Sequence, residues 1–211
     1  MGVLGKSGVM GSKEYDRAYF DRWYRTPERK AARRQSTARK ARLALAAAEY
    51  YLGRPVQSVL DVGCGEGDWR EPLLAQRPKL RYLGLDGSEY AIERFGLSRN
   101  LRLCRFGQLA ELRFDAPVDL LVCADVMHYL GEAELRRGLS GFAELCNGIC
   151  FLETYCAEDS IAGDLEEFHP RSARWYRRRF AAAGLTPLGT HLYATPGLST
   201  VVTGLERGQA A

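Results

Sequence analysis

The stretch 59-VLDVGCGEGDW-69 decides the fold. An apolar run closes on an acid, Asp61, and glycines then fall at alternate positions, Gly63, Gly65 and Gly67. The run reads as a buried strand. The glycines read as a turn against which a ligand can lie, because no Cβ stands in the way. A helix is expected from about Asp68, so that its first amides face the same crevice. In an open parallel sheet, ligands bind beyond the carboxyl ends of the strands, where strand order reverses. The loop therefore marks the candidate site.

A dinucleotide fingerprint reads GxGxxG and seats a pyrophosphate. Here the pattern is GxGxG, with Asp61 two residues before Gly63. A carboxylate repels a pyrophosphate and favours a ligand carrying an ammonium or sulfonium group. The sign of the charge thus points to a cationic nucleoside ligand. The next apolar run, 80-LRYLGLD-86, ends on Asp86, 19 residues past Gly67. An acid there can accept from a ribose diol, and hydrogen bonds to charged groups contribute roughly 1.5–3 kcal/mol each. Nicotinamide enzymes use an acid similarly, so Asp86 separates cofactors only in combination with the loop before it.

Outward from this core the chain alternates. Strands are expected at 57–63, 80–86, 101–106, 118–125 and 148–154, with helices at about 68–76, 88–95, 132–146 and 171–183. Two final runs, 187–194 and 198–205, are split by Thr195-Pro196-Gly197 and suggest a hairpin. The inner strands are near-continuously apolar, as when helices cover both faces. The fold class expected is α/β: a Rossmann-like, doubly wound, mostly parallel seven-stranded sheet with a C-terminal antiparallel hairpin and an N-terminal helical extension. The expected domains are a disordered leader 1–12, a basic helical cap 13–53, the ligand-binding domain 54–206 and a tail 207–211.

The 211 residues suffice for one such domain. No apolar run approaches the roughly 20 residues of a membrane span, and the first residues lack the apolar core of a secretory signal. Six cysteines without a CxxC pair read as reduced thiols, Cys104 and Cys123 among them as small core residues, so a cytoplasmic location is expected and no metal site. Gly5-Lys6 lacks the preceding glycine and strand of a phosphate-binding loop. Charge is uneven. Residues 25–42 hold eight basic side chains and one acid, so taking that +7 from the net +4 leaves the rest of the chain at −3. This run reads as a solvated helix face, or as a surface for RNA phosphates or an acidic partner. No stacking aromatics are interleaved within it. In the cap, the apolar stripe Ala38, Ala41, Leu45, Ala48 and Leu52 steps by three and four, and a break is expected near Thr26-Pro27.

With these features in place, VLDVGCGEG (59–67), YLGLDGSEYAI (82–92), RFGQLAEL (105–112) and DLLVCADVMHYL (119–130) resemble the class I S-adenosylmethionine-dependent methyltransferases over about residues 56–205. The resemblance implies S-adenosylmethionine as cofactor, S-adenosylhomocysteine as product, and EC class 2.1.1. It implies that Gly63, Cys64, Gly65 and Gly67 meet the methionine part and sugar, and that Asp61 orients the methionine ammonium through water. Asp86 would hold the ribose hydroxyls, with Gly87 and Ser88 alongside. Phe106, Gly107, Gln108 and Leu109 would surround the adenine, with the neutral Gln108 where the family often has an acid. Ala124 and Asp125 would face the methionine end. Tyr15, Tyr19 and Trp23 step by four along the cap and could cover the cofactor, favourably beside a sulfonium.

Methyl transfer is an in-line displacement, so the protein must align the nucleophile and sometimes remove a proton. His128, just past the fourth strand, is the candidate general base and substrate residue. Glu153 and Tyr155, after the fifth strand, are candidate substrate residues. The loop 158–168 could close over the pocket. ADVMHY stands where DNA amino-methylating members carry NPPY or DPPY, and neither the Pro-Cys pair of cytosine-carbon methylation nor the paired glutamates of arginine methylation is found. The expected function is methyl transfer to an O or N, or more widely S or C, of a small molecule. The alternatives are a methyltransferase reaching RNA or protein through the basic helix, and a cofactor-binding module without the reaction.

Overall fold

The computed structural model describes residues 16–24, 27–161 and 164–208. Tyr15 and the expected leader 1–12 lie outside them, as does Thr26. Helix α1 (Arg17–Tyr24) is capped by Asp16, whose Oδ1 accepts from the Tyr19 amide at 2.9 Å. Helix α2 (Pro27–Leu52) starts on the proline, whose missing N–H costs nothing at a first helical position. It stops at Gly53, which takes the left-handed conformation at φ 65°.

The body is β1 (Ser58–Val62), α3 (Arg70–Gln76), β2 (Arg81–Asp86), α4 (Glu89–Arg99), β3 (Leu101–Leu103), β4 (Val118–Ala124), α5 (Glu132–Leu139), α6 (Phe142–Leu145), β5 (Cys146–Glu153), α7 (Ala173–Ala182), β6 (Thr186–Gly189) and β7 (Leu192–Ala194). Among the described residues the strands form one seven-stranded sheet in the order β3-β2-β1-β4-β5-β7-β6. The first five run parallel, and β7 is antiparallel to both β5 and β6. Strand order reverses between β1 and β4, which opens the crevice where the glycine loop lies.

Consecutive strand residues face opposite layers. Val59, Leu120, Val122, Ile149 and Phe151 pack with Ala41, Ala44, Leu45 and Ala48 of α2 and Leu73 of α3. Leu60, Leu121, Cys123, Cys150 and Leu152 pack with Leu135, Phe142, Tyr176 and Phe180 on the other side. Both faces are thus covered, which is why the strands read as apolar runs rather than alternating ones. The alanines of α2 join the same cluster as the sheet, so the helical extension is packed into the body through its small residues.

Three expectations are corrected. The hairpin turns inside the run 187–194: Gly189, Thr190 and His191 all take positive φ, at 89°, 52° and 66°. Residues 198–205 form no strand; Pro196–Leu198 is a short 3-10 turn and turns follow. The expected third strand ends at Leu103, and Phe106–Glu111 forms a 3-10 turn. The expected helix 132–146 is broken between Leu139 and Phe142, where Gly141 lies so close to Leu109 that a Cβ would stand 2.4 Å from the Leu109 carbonyl oxygen.

A comparable constraint sits between β4 and β5. A Cβ on Gly148 would stand 2.0 Å from the carbonyl oxygen of Asp119, beside the register shift of that strand pair. Gly148→Ala is expected to lower unfolding free energy by about 1–3 kcal/mol, as overpacking of a core does. Urea unfolding of the two proteins measures it; equal midpoints would contradict the close approach.

Candidate active site

The glycine loop is wound by three left-handed residues, Gly63 at φ 68°, Gly65 at 51° and Gly67 at 82°. Only glycine adopts these conformations without cost. At Gly63 space also forbids a side chain, since a Cβ would meet Val126 Cγ2 at 2.3 Å.

The loop's amides are used within the protein. Gly63 and Cys64 both donate to the Leu85 carbonyl oxygen, at 2.7 and 3.1 Å, and Gly67 donates to that of Cys64 at 2.8 Å. Gly65 donates to Asp86 Oδ2 at 2.7 Å, while Ser88 donates its amide to Asp86 Oδ1 at 2.8 Å. A pyrophosphate would need these donors, so the loop is not built as a phosphate cradle. Each Asp86 oxygen keeps further acceptor capacity, since an ionised carboxylate offers about four lone-pair sites. Burial pushes the Asp86 pKa above the usual carboxylate value, against the Ser88 and Gly65 amides, which pull it down.

A cavity of about 450 Å³ opens above the loop. Of the residues singled out from sequence, it brings together Gly63, Gly65, Asp86, Gly87, Phe106, Leu109, Ala124, Asp125 and Tyr19 along its wall. The Tyr19 phenol is held protonated: burial raises its pKa, and so do the nearby carboxylates of Asp164, Asp125 and Asp86. Tyr15 lies outside the described residues.

Other residues stand behind the wall. Cys64 is buried under β2, where a Cβ on Gly84 would come within 2.7 Å of its sulfur. Gly67 packs near Leu101, and Ser88 Oγ caps α4 by accepting from the Ala91 amide at 3.2 Å. Gln108 is exposed, and its Oε1 accepts from the Arg105 amide at 2.8 Å, closing the 3-10 turn. Gly107 donates toward Glu134 at 3.4 Å. Glu153 is paired with Lys40 of α2 at 2.5 Å.

His128 lies outside the cavity wall, 1% exposed. Its Nδ1 meets Thr154 Oγ1 at 3.2 Å and the Tyr155 amide at 3.5 Å. Its Nε2 faces Asp125 Oδ1 at 3.6 Å, and the Asp125 side chain is 61% exposed. The Tyr155 ring packs 5.4 Å from the imidazole. Asp125 holds φ 64°, with its amide donating to the Glu153 carbonyl oxygen at 3.0 Å. A non-glycine residue held in that region at a cavity wall points to a functional constraint.

Sequence reasoning missed several wall residues. Among the described residues Arg105 is the one cation of the wall, Phe20 and Tyr129 are aromatic, and Glu134 and Glu167 are acidic. Glu167 comes from the loop 158–168, whose Asp164 carbonyl oxygen accepts from the Tyr129 hydroxyl at 3.0 Å. The position of Tyr129, four residues after Asp125, could have flagged it. Nothing local marks Glu134 or Arg105.

Asp61 is buried beneath the loop, where its Oδ2 accepts from the Tyr82 hydroxyl at 2.6 Å. Burial pushes its pKa up to about 7; Tyr82 opposes this, and Asp86 and Asp68 add to it. A raised carboxyl pKa means that the folded chain holds a proton which the unfolded chain has released. This stabilising term is full below the ordinary carboxylate pKa, about 4, and is lost as pH rises through about 7. Asp61→Asn is expected to flatten the pH dependence of unfolding free energy between those values. Denaturant titrations at several pH values check it, and an unchanged slope would refute it.

Comparison with known proteins agrees with this geometry. A family model described as a methyltransferase domain matches residues 60–148. No curated protein matches the chain. Among solved structures, a magnesium protoporphyrin IX methyltransferase from Synechocystis PCC 6803, with bound S-adenosylhomocysteine, aligns at TM-score 0.61 and 16% identity over 86% of this chain and 96% of that one. A SAM-dependent methyltransferase from Archaeoglobus fulgidus aligns at 0.60 and 16% over 80% and 73%. DesVI of Streptomyces venezuelae aligns at 0.58 and 15% over 77% and 91%. At these identities the likeness is one of fold. The match on residues 60–148, with the D-x-G-x-G-x-G loop on the reversing strand, makes this part of the chain similar to methyltransferase domains that share the fold.

Proposed function

We propose that the protein transfers the methyl group of S-adenosylmethionine to an oxygen or nitrogen nucleophile of a small molecule, within EC class 2.1.1. The observation that carries this reading is the glycine loop whose amides are turned inward while Asp86 faces the cavity. That donor set suits a ribose and a cation and is poor for a pyrophosphate. When bound, the cofactor supplies a methyl group already activated on a sulfonium. Asp86 holds the ribose hydroxyls. Phe106 and Leu109 offer an apolar wall for the adenine, a role that the geometry supports better for them than for Gln108. Tyr19 and Phe20, from α1, close one side against water. The Synechocystis relative is named for a small-molecule acceptor, which is consistent with a cavity of about 450 Å³ here.

In this reading the proton-accepting role expected of His128 passes to Asp125. With Nδ1 accepting from the Tyr155 amide, a neutral His128 ring carries its proton on Nε2, toward the Asp125 carboxylate. His128 is then a positioning residue that orients Asp125, while Asp125 meets the acceptor. Glu153 at the end of β5, tied to Lys40, and Tyr155 in the segment after it, against the imidazole, support that arrangement.

Two outcomes are expected. Asp86→Ala should weaken S-adenosylhomocysteine binding by about 2–4 kcal/mol, the worth of two charge-assisted bonds. Calorimetry reads this, and unchanged affinity would move the ribose elsewhere. Second, hydroxyl and amine compounds can be screened with methyl-labelled S-adenosylmethionine. For a hydroxyl acceptor found in this way, Asp125→Asn should lower kcat by about 10²–10⁴-fold while cofactor affinity stays within a few-fold. His128→Gln should lower kcat less. Full activity of Asp125→Asn would leave alignment alone as the source of rate.

A further inference from the structure

Helices α2, α3 and α4 enclose a second, open groove of about 810 Å³, and no residue lines both it and the cofactor cavity. Six cations line it among the described residues: Lys30, Arg33 and Arg34 from α2, Arg70 from α3, and Arg94 and Arg99 from α4. Three carboxylates face them. Asp68 is paired with Arg33 at 2.6 Å, and Glu71 with Arg34 at 2.6 Å. The second pair is exposed on both sides, where an ion pair contributes little. The third carboxylate is Glu66, in the glycine loop. The balance is an excess of positive charge, concentrated in a chain whose remainder outside residues 25–42 is net negative.

The basic run carries no interleaved aromatics, but the fold supplies one from another helix. Phe95 of α4 lines the groove with the arginines. The Arg99 guanidinium lies over its ring, 4.1 Å from the centroid, and Arg94 stands 5.4 Å from it. Arg99 also donates to the Glu66 carbonyl oxygen at 2.5 Å, which fixes its planar head. A planar cation held on an aromatic ring is a platform for a nucleobase. Guanidinium groups around it can clamp phosphate oxygens. An acidic peptide would use the charges and leave the platform idle. A duplex would keep its bases stacked on each other.

We propose that this groove binds a single-stranded polynucleotide, with backbone phosphates on Lys30, Arg34 and Arg70 and a base stacked on the Arg99–Phe95 pair. The proposal is independent of which compound accepts the methyl group, and its test involves no methyl transfer.

The probe is a short fluorescent oligouridylate, with anisotropy followed over a range of salt concentrations. Each phosphate neutralised contributes about 0.7 to the slope of log affinity against log salt for single strands. Neutralising Lys30, Arg34 and Arg70 together to Gln should flatten that slope by about 2 and weaken binding at low salt at least about tenfold. Arg39→Gln with Arg42→Gln changes two exposed cations of α2 outside the groove, and it should leave affinity within about twofold. An abasic strand of equal length should bind about tenfold more weakly than the oligouridylate. Thermal unfolding confirms that the variants are folded. No binding of the parent protein at low salt, equal loss in the two multiple variants, equal affinity for the abasic strand, or displacement by polyglutamate as effective as by unlabelled RNA would each overturn the proposal.

Discussion

The site depends on one carboxylate. Asp86 takes the amides of Gly65 and Ser88 on its two oxygens and so ties the loop after β1 to the start of α4. Neither segment could hold its course alone. The loop has three left-handed glycines and packs mainly through Cys64, and ordering glycine carries a larger entropic cost than ordering other residues. The same clamp fixes where acceptor lone pairs remain on Asp86 at the cavity wall. Its position on the neighbouring parallel strand follows from register: Asp61 of β1 lies opposite Gly84 of β2, and Asp86 stands two residues further on, at the crevice.

Beneath the clamp, polar groups are supported by close packing. Gly84 admits the Cys64 side chain beneath it, and any Cβ there would displace it. Asp61 and Tyr82, both buried, satisfy each other. An isolated buried carboxylate would be costly, and a protonated one with a tyrosine partner is less so. The acid read from sequence as a cofactor ligand is thus first a structural member of the layer below the loop. Its raised pKa records that burial.

What was legible in the sequence follows from what is local. The strand–glycine–helix passage at 59–69, the acid at Asp86 and the doubly covered strands are each set by a few consecutive residues, and the sheet order follows from alternation. The hairpin was misplaced because Thr195-Pro196-Gly197 carries stronger turn chemistry than Gly189-Thr190-His191, yet the latter turns, with Leu192–Ala194 pairing back on Ile149–Phe151. Gln108, expected beside the adenine, closes its own turn with its side chain, a local bond that competes with ligand binding and is not marked by the sequence spacing. His128 lies on the expected segment, but a one-residue offset on the short 3-10 turn Met127–Tyr129 sends Tyr129 to the cavity and the imidazole into the interior. Arg105, Glu134 and Glu167 come from three separate segments, and only the tertiary fold gathers them.

The two recesses carry opposite charge on either side of one backbone segment. The cofactor cavity shows Asp86, Asp125, Glu134 and Glu167 against Arg105, whereas the groove shows six cations against three carboxylates. Gly63 and Gly65 line the first, and Glu66, Gly67 and Asp68 line the second, so the loop is the wall between them. Salt limits the reach of each field in solvent, since the screening length at physiological salt is about 8 Å, so charges lining one recess act mainly on what enters that recess. The Arg33–Asp68 and Arg99–Glu66 contacts fasten that wall from the groove side, as Asp86 does from the cavity side. A cation is favoured electrostatically at the first face of the loop and an anion at the second. The amides of Gly63, Cys64, Gly65 and Gly67 are satisfied internally, which leaves side-chain charge as the main difference between the two faces of this short segment.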